Sequence, residues 1–151
     1  MWNRALFIAL LAAALPARAD DPPAGDECAS HDGKACVLAS GVRYVELKAG
    51  RGAQPEAGAR VSVHYTGRFA SSGKVFDSSR GKKPWTWTWG TPGQVIPGFE
   101  LGLASAHVGA RRQVTIPPEQ AYGKQGYKKI IPPDATLVFD IELLSVEPAA
   151  K

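Results

Sequence analysis

Val61-Ser62-Val63-His64-Tyr65-Thr66-Gly67 alternates apolar and polar side chains, and so does Thr136-Leu137-Val138-Phe139-Asp140-Ile141-Glu142-Leu143-Leu144. Successive side chains of a strand point to opposite faces, so a period of two marks a strand with one buried face. Over residues 60–69 the buried set is Val61, Val63 and Tyr65, with Ser62, His64 and Thr66 behind. Over residues 136–146 it is Leu137, Phe139, Ile141 and Leu143. Around these two strands the pattern extends. Val42, Tyr44 and Glu46 alternate with Arg43, Val45 and Leu47. Ser71-Ser72-Gly73 is a turn into a return strand through Val75 and Phe76, and residues 108–116 supply a further strand. Residues 50–59 read as loop by their Gly, Pro and Arg content. One helix is expected over residues 97–104, where Pro97 suits a first turn and Phe99 and Leu103 share a face. Many strands and one short helix predict an α+β fold with an antiparallel sheet.

The N-terminus has a different character. Arg4 precedes an apolar run over residues 5–15, and Ala17-Arg18-Ala19 has the small-residue pattern of a cleavage site. The run is short for a membrane span, which needs roughly 20 residues. No Cys follows it to accept a lipid. Residues 1–19 are therefore expected to be a signal peptide, leaving a mature chain from Asp20 exported to a periplasm or beyond. Residues 20–40 read as a loosely held polar extension, residues 41–147 as the folded domain and residues 148–151 as a tail. Loss of Arg4 and Arg18 lowers the Lys and Arg count from 18 to 16 against 14 Asp and Glu, a net of +2. That near balance does not favour nucleic acid as a partner.

Cys28 and Cys36 are closely spaced within this extension, and in an oxidising compartment such a pair reads as a disulfide. The loop it closes is short, so the expected stabilisation is about 2–3 kcal/mol at most. A zinc site with His31 as third ligand lacks a fourth. The spacing is not the C-x-x-C of redox-active pairs.

Further along lie Val75-Phe76-Asp77-Ser78-Ser79-Arg80, Val95-Ile96-Pro97-Gly98-Phe99-Glu100, Ala121-Tyr122-Gly123 and Ile130-Ile131-Pro132-Pro133. With the two alternating strands, these motifs resemble, in order and over about residues 41–147, the FKBP family of tacrolimus-binding peptidyl-prolyl cis-trans isomerases. The resemblance implies a twisted antiparallel sheet wrapped around one short helix, with an apolar pocket between them. It implies catalysis of X-Pro isomerisation without nucleophile, metal or other cofactor. The expected partners are Pro-containing unfolded or nascent exported polypeptides, with tacrolimus-like macrolides as inhibitors and a monomeric state.

Residue by residue, the resemblance implies a pocket with Phe99 as its floor, where many relatives carry Trp, and Phe76, Tyr65 and Phe139 as walls. The Ile96 backbone N–H and the Tyr122 hydroxyl are expected to donate to substrate carbonyls. Asp77 is expected to face the reacting amide and Tyr65. Trp85, Val95, Ile130, Ile131 and Tyr127 complete the expected lining. Taken singly, a Phe, Val or Ile in a strand is core filler; the joint match singles these out. Trp85, Trp87 and Trp89 are spaced by two and read as core or as a ligand platform, with Trp85 alone at the pocket rim. His64 stands on the strand face opposite Tyr65 and has no acidic partner in a motif. His107 reads as an exposed turn residue.

The chain also departs from the family pattern. The loop Gly81-Lys82-Lys83 is one residue shorter than in eukaryotic relatives, and an arginine that helps hold the pocket Asp has no clear equivalent, Lys82 being the nearest substitute. Trp89 replaces a smaller aliphatic residue. The flap Lys124-Gln125-Gly126-Tyr127-Lys128-Lys129 has Tyr127 where some relatives have His; its lysines fit either acidic substrate flanks or a merely solvated loop. A chaperone or interaction module that binds Pro-containing segments without turnover is the competing reading. Against it, no domain is inserted between Tyr122 and Ile130, and no long N-terminal dimerisation helix is evident. A general acid-base hydrolase is excluded for want of a Ser-His-Asp or paired-carboxylate constellation.

Overall fold

The computed structural model describes residues 30–32 and 35–149. Eight strands form one antiparallel sheet: β1 (Ser30–Asp32), β2 (Ala35–Val37), β3 (Arg43–Lys48), β4 (Arg60–Phe69), β5 (Val75–Ser78), β6 (Trp85–Thr88), β7 (Arg111–Ile116) and β8 (Leu137–Glu147). Their order in space is β1-β2-β3-β7-β8-β4-β5, with β6 also paired to β4. Among the described residues a single α-helix, α1 (Pro97–Leu103), precedes β7, and a 3₁₀ turn over Pro118–Gln120 follows it. The expected α+β class and the single helix are both observed.

The two alternating stretches form the spine. β4 and β8 pair from Arg60 opposite Glu147 to Phe69 opposite Leu137. Val61, Val63, Leu137, Phe139, Ile141 and Leu143 are all buried on one face. The opposite face is polar, with Arg68 paired to Asp140 at 2.9 Å and Ser62 Oγ 2.9 Å from Thr86 Oγ1. On its other edge β4 is shared. β6 pairs with Arg60–Val63, and β5 with Thr66, Gly67 and Arg68.

Helix α1 lies close against β7 because two glycines permit it. A Cβ on Gly98 would run into Ile116 and the Gln120 carbonyl, and one on Gly102 into Val114. Phe99 and Leu103, on the buried side, enter the core. Behind the helix, Arg112 of β7 is only 3% exposed. Its Nη1 donates to the Gly102 carbonyl and to Ser105 Oγ, each at 3.0 Å, and its Nη2 to Glu46 at 3.2 Å. The guanidinium also sits 4.0 Å from the Tyr44 ring centroid. A buried cation is tolerated when so surrounded, and here it binds the open C-terminal end of α1 to β3 and β7.

Most boundaries fall within a residue of those expected, and the larger differences have physical reasons. β7 begins at Arg111 rather than at 108, because Gly109 turns the chain at φ +94° and its N–H reaches across to the Leu143 carbonyl. β6 ends at Thr88, so Trp89 lies beyond the strand although its ring still stacks on Trp87. The packed structure also starts before Gly41. In β2, Cys36 faces Tyr44 of β3, and Cys36 and Leu38 are buried. The polar composition of residues 20–40 masks this short apolar run, Cys36-Val37-Leu38, which covers the edge of β3. The expected signal segment and Cys28 lie outside the described residues, and with Cys28 so does its expected pairing to Cys36.

Candidate functional site

Between β4, β5 and the entry to α1 lies a cavity of about 780 Å³. Its wall holds Tyr65 from β4, Phe76 and Asp77 from β5, Trp85 from β6, Phe99 from α1 and Phe139 from β8, together with Val95, Ile96, Tyr122 and Tyr127. In β4 and β8 the alternation turns Tyr65 and Phe139 to the face that carries the core.

Phe99 is the floor. Its ring is met edge-on by Phe139 at 5.2 Å, Trp87 at 5.6 Å and Tyr65 at 5.8 Å, with interplanar angles between 72° and 89°. Phe76 in turn stands edge-on to Phe139 at 5.7 Å. Edge-to-face contacts put the positive rim of one ring against the negative face of another, each contributing about 0.5–1.5 kcal/mol beyond burial. The result is a rigid apolar concavity. Trp87, the buried middle member of the aromatic stripe, donates its indole N–H to Glu100 Oε1 at 2.9 Å, so the stripe serves the core there. Trp85, 46% exposed, is the member that reaches the cavity.

One polar pair is built into the wall. The Tyr65 hydroxyl donates to Asp77 Oδ2 at 2.6 Å, while Asp77 Oδ1 accepts the Ser78 N–H at 2.9 Å. Burial holds the Tyr65 phenol well above its ordinary titration range, and the bond to Asp77 and that carboxylate's charge push it further. Ser79 secures the backbone behind it. Its Oγ accepts the Tyr65 N–H at 2.8 Å and its N–H donates to the Tyr65 carbonyl at 2.9 Å. His64 Nδ1 lies 2.9 Å from the same Oγ, on the face away from Tyr65, so it buttresses this turn. Among the described residues no Lys or Arg pairs with Asp77. Lys82 does not take the place of the absent arginine; its amide caps the turn at Ser79 instead.

Two hydrogen-bond donors on the lining, the Ile96 amide and the Tyr122 hydroxyl, are not engaged by any other described residue. Burial raises the Tyr122 phenol too, with smaller contributions from Tyr127 and Asp77. Tyr122 follows the 3₁₀ turn and opens a flap whose start is pinned by Gly123 N–H to the Pro118 carbonyl at 2.8 Å. Tyr127 stacks on Tyr122 with centroids 5.1 Å apart. Gly126 is required between them. Its φ is +68°, and a Cβ there would meet the Ile131 carbonyl.

Two of the expected lining residues stand apart from the cavity wall. Ile131 is 4% exposed and packs into the core, anchoring the flap through a bridge to Tyr127. Ile130 is 51% exposed and does not line the cavity. The turn points these two neighbours in opposite directions, one into the core and one to solvent. Sequence reasoning also missed the segment Gly90-Thr91-Pro92-Gly93-Gln94, which with Pro97 and Glu100 completes the lining. Its Gly-Pro composition signalled a turn, but a turn carries no sign of what it covers. Glu100 fastens it, accepting the Gly90 N–H at 2.9 Å on the oxygen that also holds Trp87.

With this geometry established, comparison with known proteins is informative. Residues 52–144 match the family described as FKBP-type peptidyl-prolyl cis-trans isomerase. The chain is 45% identical over 109 residues to FK506-binding protein 4 of Dictyostelium discoideum, covering 72% of this chain and 29% of that protein. It is 49% identical over 96 residues to peptidyl-prolyl cis-trans isomerase FKBP15-3 of Arabidopsis thaliana, covering 64% and 66% respectively. The chain thus spans less than two thirds of the length of these two relatives. Among solved structures, a peptidyl-prolyl cis-trans isomerase from Pseudomonas syringae superposes with a TM-score of 0.69 at 37% identity, covering 78% of this chain and 84% of that one.

Proposed function

Since the chain belongs to the FKBP-type peptidyl-prolyl cis-trans isomerase family, we propose that it accelerates rotation about X-Pro bonds in the cavity floored by Phe99. The barrier to that rotation, about 18–20 kcal/mol, comes from amide resonance. A planar amide is more charge-separated than a twisted one, so moving it from water into an apolar cavity disfavours the ground state relative to the transition state. Lowering the barrier by about 5 kcal/mol gives roughly a 10⁴-fold acceleration. The prolyl ring sits on Phe99 between Tyr65, Phe76 and Phe139, and the Ile96 N–H and Tyr122 hydroxyl take carbonyl oxygens on either side of it. Asp77, already bonded to Tyr65, keeps that ring in place and presents negative charge beside the amide. The observation that carries this reading is the aromatic floor together with two unengaged donors on the same wall.

The setting belongs to the same proposal. Residues 1–19 direct export, the mature chain begins at Asp20, and Cys28 and Cys36 pair in an oxidising periplasm or outside the cell. The clients are exported polypeptides with slow X-Pro bonds, and the isomerase works as a monomer. FK506 appears in the name of the Dictyostelium relative, and a macrolide of that class is expected to fill the cavity as an inhibitor.

The test is the cis-to-trans rate of an X-Leu-Pro-Phe peptide with the mature protein, with and without tacrolimus. Drug-sensitive acceleration is the expected result, with Tyr122→Phe reducing the rate about three- to tenfold, the loss of one hydrogen bond, without unfolding. Tight drug binding without acceleration would replace catalysis by recognition. Failure of both would overturn the reading.

A further inference from the structure

The flap that carries Tyr127 also carries positive charge that the isomerisation chemistry does not use. Lys128 stands at φ +49°, a left-handed conformation that costs a non-glycine residue free energy. It is held there by a tight turn. Tyr127 N–H donates to the Ile131 carbonyl at 2.9 Å, and Ile131 N–H donates back to the Tyr127 carbonyl at 3.0 Å. Ile131 is in the core, so the turn is anchored to the body of the fold. This geometry places Lys128 Nζ 5.1 Å from the Tyr127 ring centroid. Tyr127 lines the cavity and stacks on Tyr122. Lys128 thus directly follows a lining residue and sets its ammonium against that residue's ring. Among the described residues Lys124, Lys128 and Lys129 have no acidic partner.

The inner wall is charged in the opposite sense, yet its carboxylates are occupied. Asp77 holds Tyr65 and Ser78, and Glu100 holds Trp87 and Gly90. An acidic side chain on a bound segment is therefore unwelcome near the prolyl ring and favoured at the rim.

We propose that the flap selects among Pro-containing segments, preferring those with an acidic residue flanking the apolar Leu-Pro-Phe-like core, and that Lys128 is the specificity-determining residue. This rests on the reading of the cavity as a prolyl-peptide site. It concerns which peptide is taken, and Lys128 takes no part in bond rotation.

The test uses three peptides with one Leu-Pro-Phe core, flanked on both sides by Glu, by Gln or by Lys. Binding is followed by chemical-shift perturbation and cis-trans exchange by exchange spectroscopy on the same samples. The Glu-flanked peptide is expected to bind about three- to fivefold more tightly than the Gln-flanked one at low salt, and the Lys-flanked one more weakly than both. At high salt the differences should collapse, since the pair is exposed. Lys128→Gln should reduce the Glu-to-Gln ratio to less than about twofold, while Lys48→Gln, in β3, should leave it unchanged. Equal binding of the three peptides with exchange still accelerated overturns the flap's role and leaves the isomerase reading standing. A Glu preference that survives Lys128→Gln overturns the assignment to Lys128. If no peptide binds and none is accelerated, both readings fall.

Discussion

Tyr65 shows how one residue is given two jobs by its surroundings. Its ring walls the cavity against Phe99, and its hydroxyl donates at 2.6 Å to Asp77. Ionising that phenol would leave a phenolate that burial keeps from water and set a second negative charge beside the carboxylate. Its titration therefore lies above the ordinary value of 10.0, and so does that of Tyr122. The sign of the consequence follows from linkage. A folded state that holds the proton more tightly than the unfolded chain is fully favoured below pH 10, and that contribution is lost as pH climbs beyond it. Phenolate absorbance from Tyr65 and Tyr122 is expected only at pH above the ordinary tyrosine range. Resistance to urea should decline over the same alkaline interval, and the decline should be shallower in Tyr65→Phe. A wild-type Tyr65 that titrates at or below 10.0 would contradict both the burial and the bond to Asp77.

At the scale of the element, α1 decides where the floor sits. Seven residues make less than two full turns, too short to persist alone in water, so the helix exists because it packs. Gly98 and Gly102 bring it against Ile116 and Val114, and that close approach sets the depth of Phe99. Gly98→Ala improves intrinsic helix propensity by about 1 kcal/mol. It also drives a Cβ into Ile116, a fully buried β-branched side chain with nowhere to retreat. The clash is expected to dominate, with a net destabilisation of about 1–3 kcal/mol in urea unfolding. Weaker prolyl-peptide binding should accompany it, because the floor moves with the helix. A stability gain would show that propensity outweighs packing at this contact.

Across the whole molecule, the sheet is closed around the helix by interactions between residues far apart in the chain. Arg112 is the clearest, joining the Gly102 carbonyl of α1, Ser105, Glu46 and the Tyr44 ring. Its partners are unequal. The Gly102 carbonyl is buried, whereas the Glu46 side chain is 38% exposed and can be hydrated once released. Arg112→Met should therefore cost about 2 kcal/mol, mainly from the helix-end carbonyl left without a donor. Glu46→Gln should cost less than Arg112→Met, since the Gln amide oxygen can still accept from Nη2 and the guanidinium keeps the Gly102 carbonyl, Ser105 and the Tyr44 ring. Urea denaturation of both variants checks the asymmetry, and equal costs would mean that the ion pair, not the helix end, is what Arg112 serves.

Local periodicity was enough to place β4 to the residue and to put Leu137, Phe139, Ile141 and Leu143 on one buried face of β8. Alternation is a property of neighbouring residues and survives whatever the strand pairs with. The motifs likewise assigned Tyr65, Phe76, Asp77, Trp85, Val95, Ile96, Phe99, Tyr122, Tyr127 and Phe139 to the wall they occupy. What the chain could not show locally was set by contacts across it. A glycine at positive φ delays β7, and β2 draws Cys36 and Leu38 into the core. A one-residue turn geometry separates Ile131 from Ile130, and the Gly90–Gln94 turn is folded over the cavity by a carboxylate on α1. Sequence spacing fixes which face a side chain takes within its own element. Which elements then meet, and which turns cover the space between them, is decided only when burial of those faces brings distant segments together.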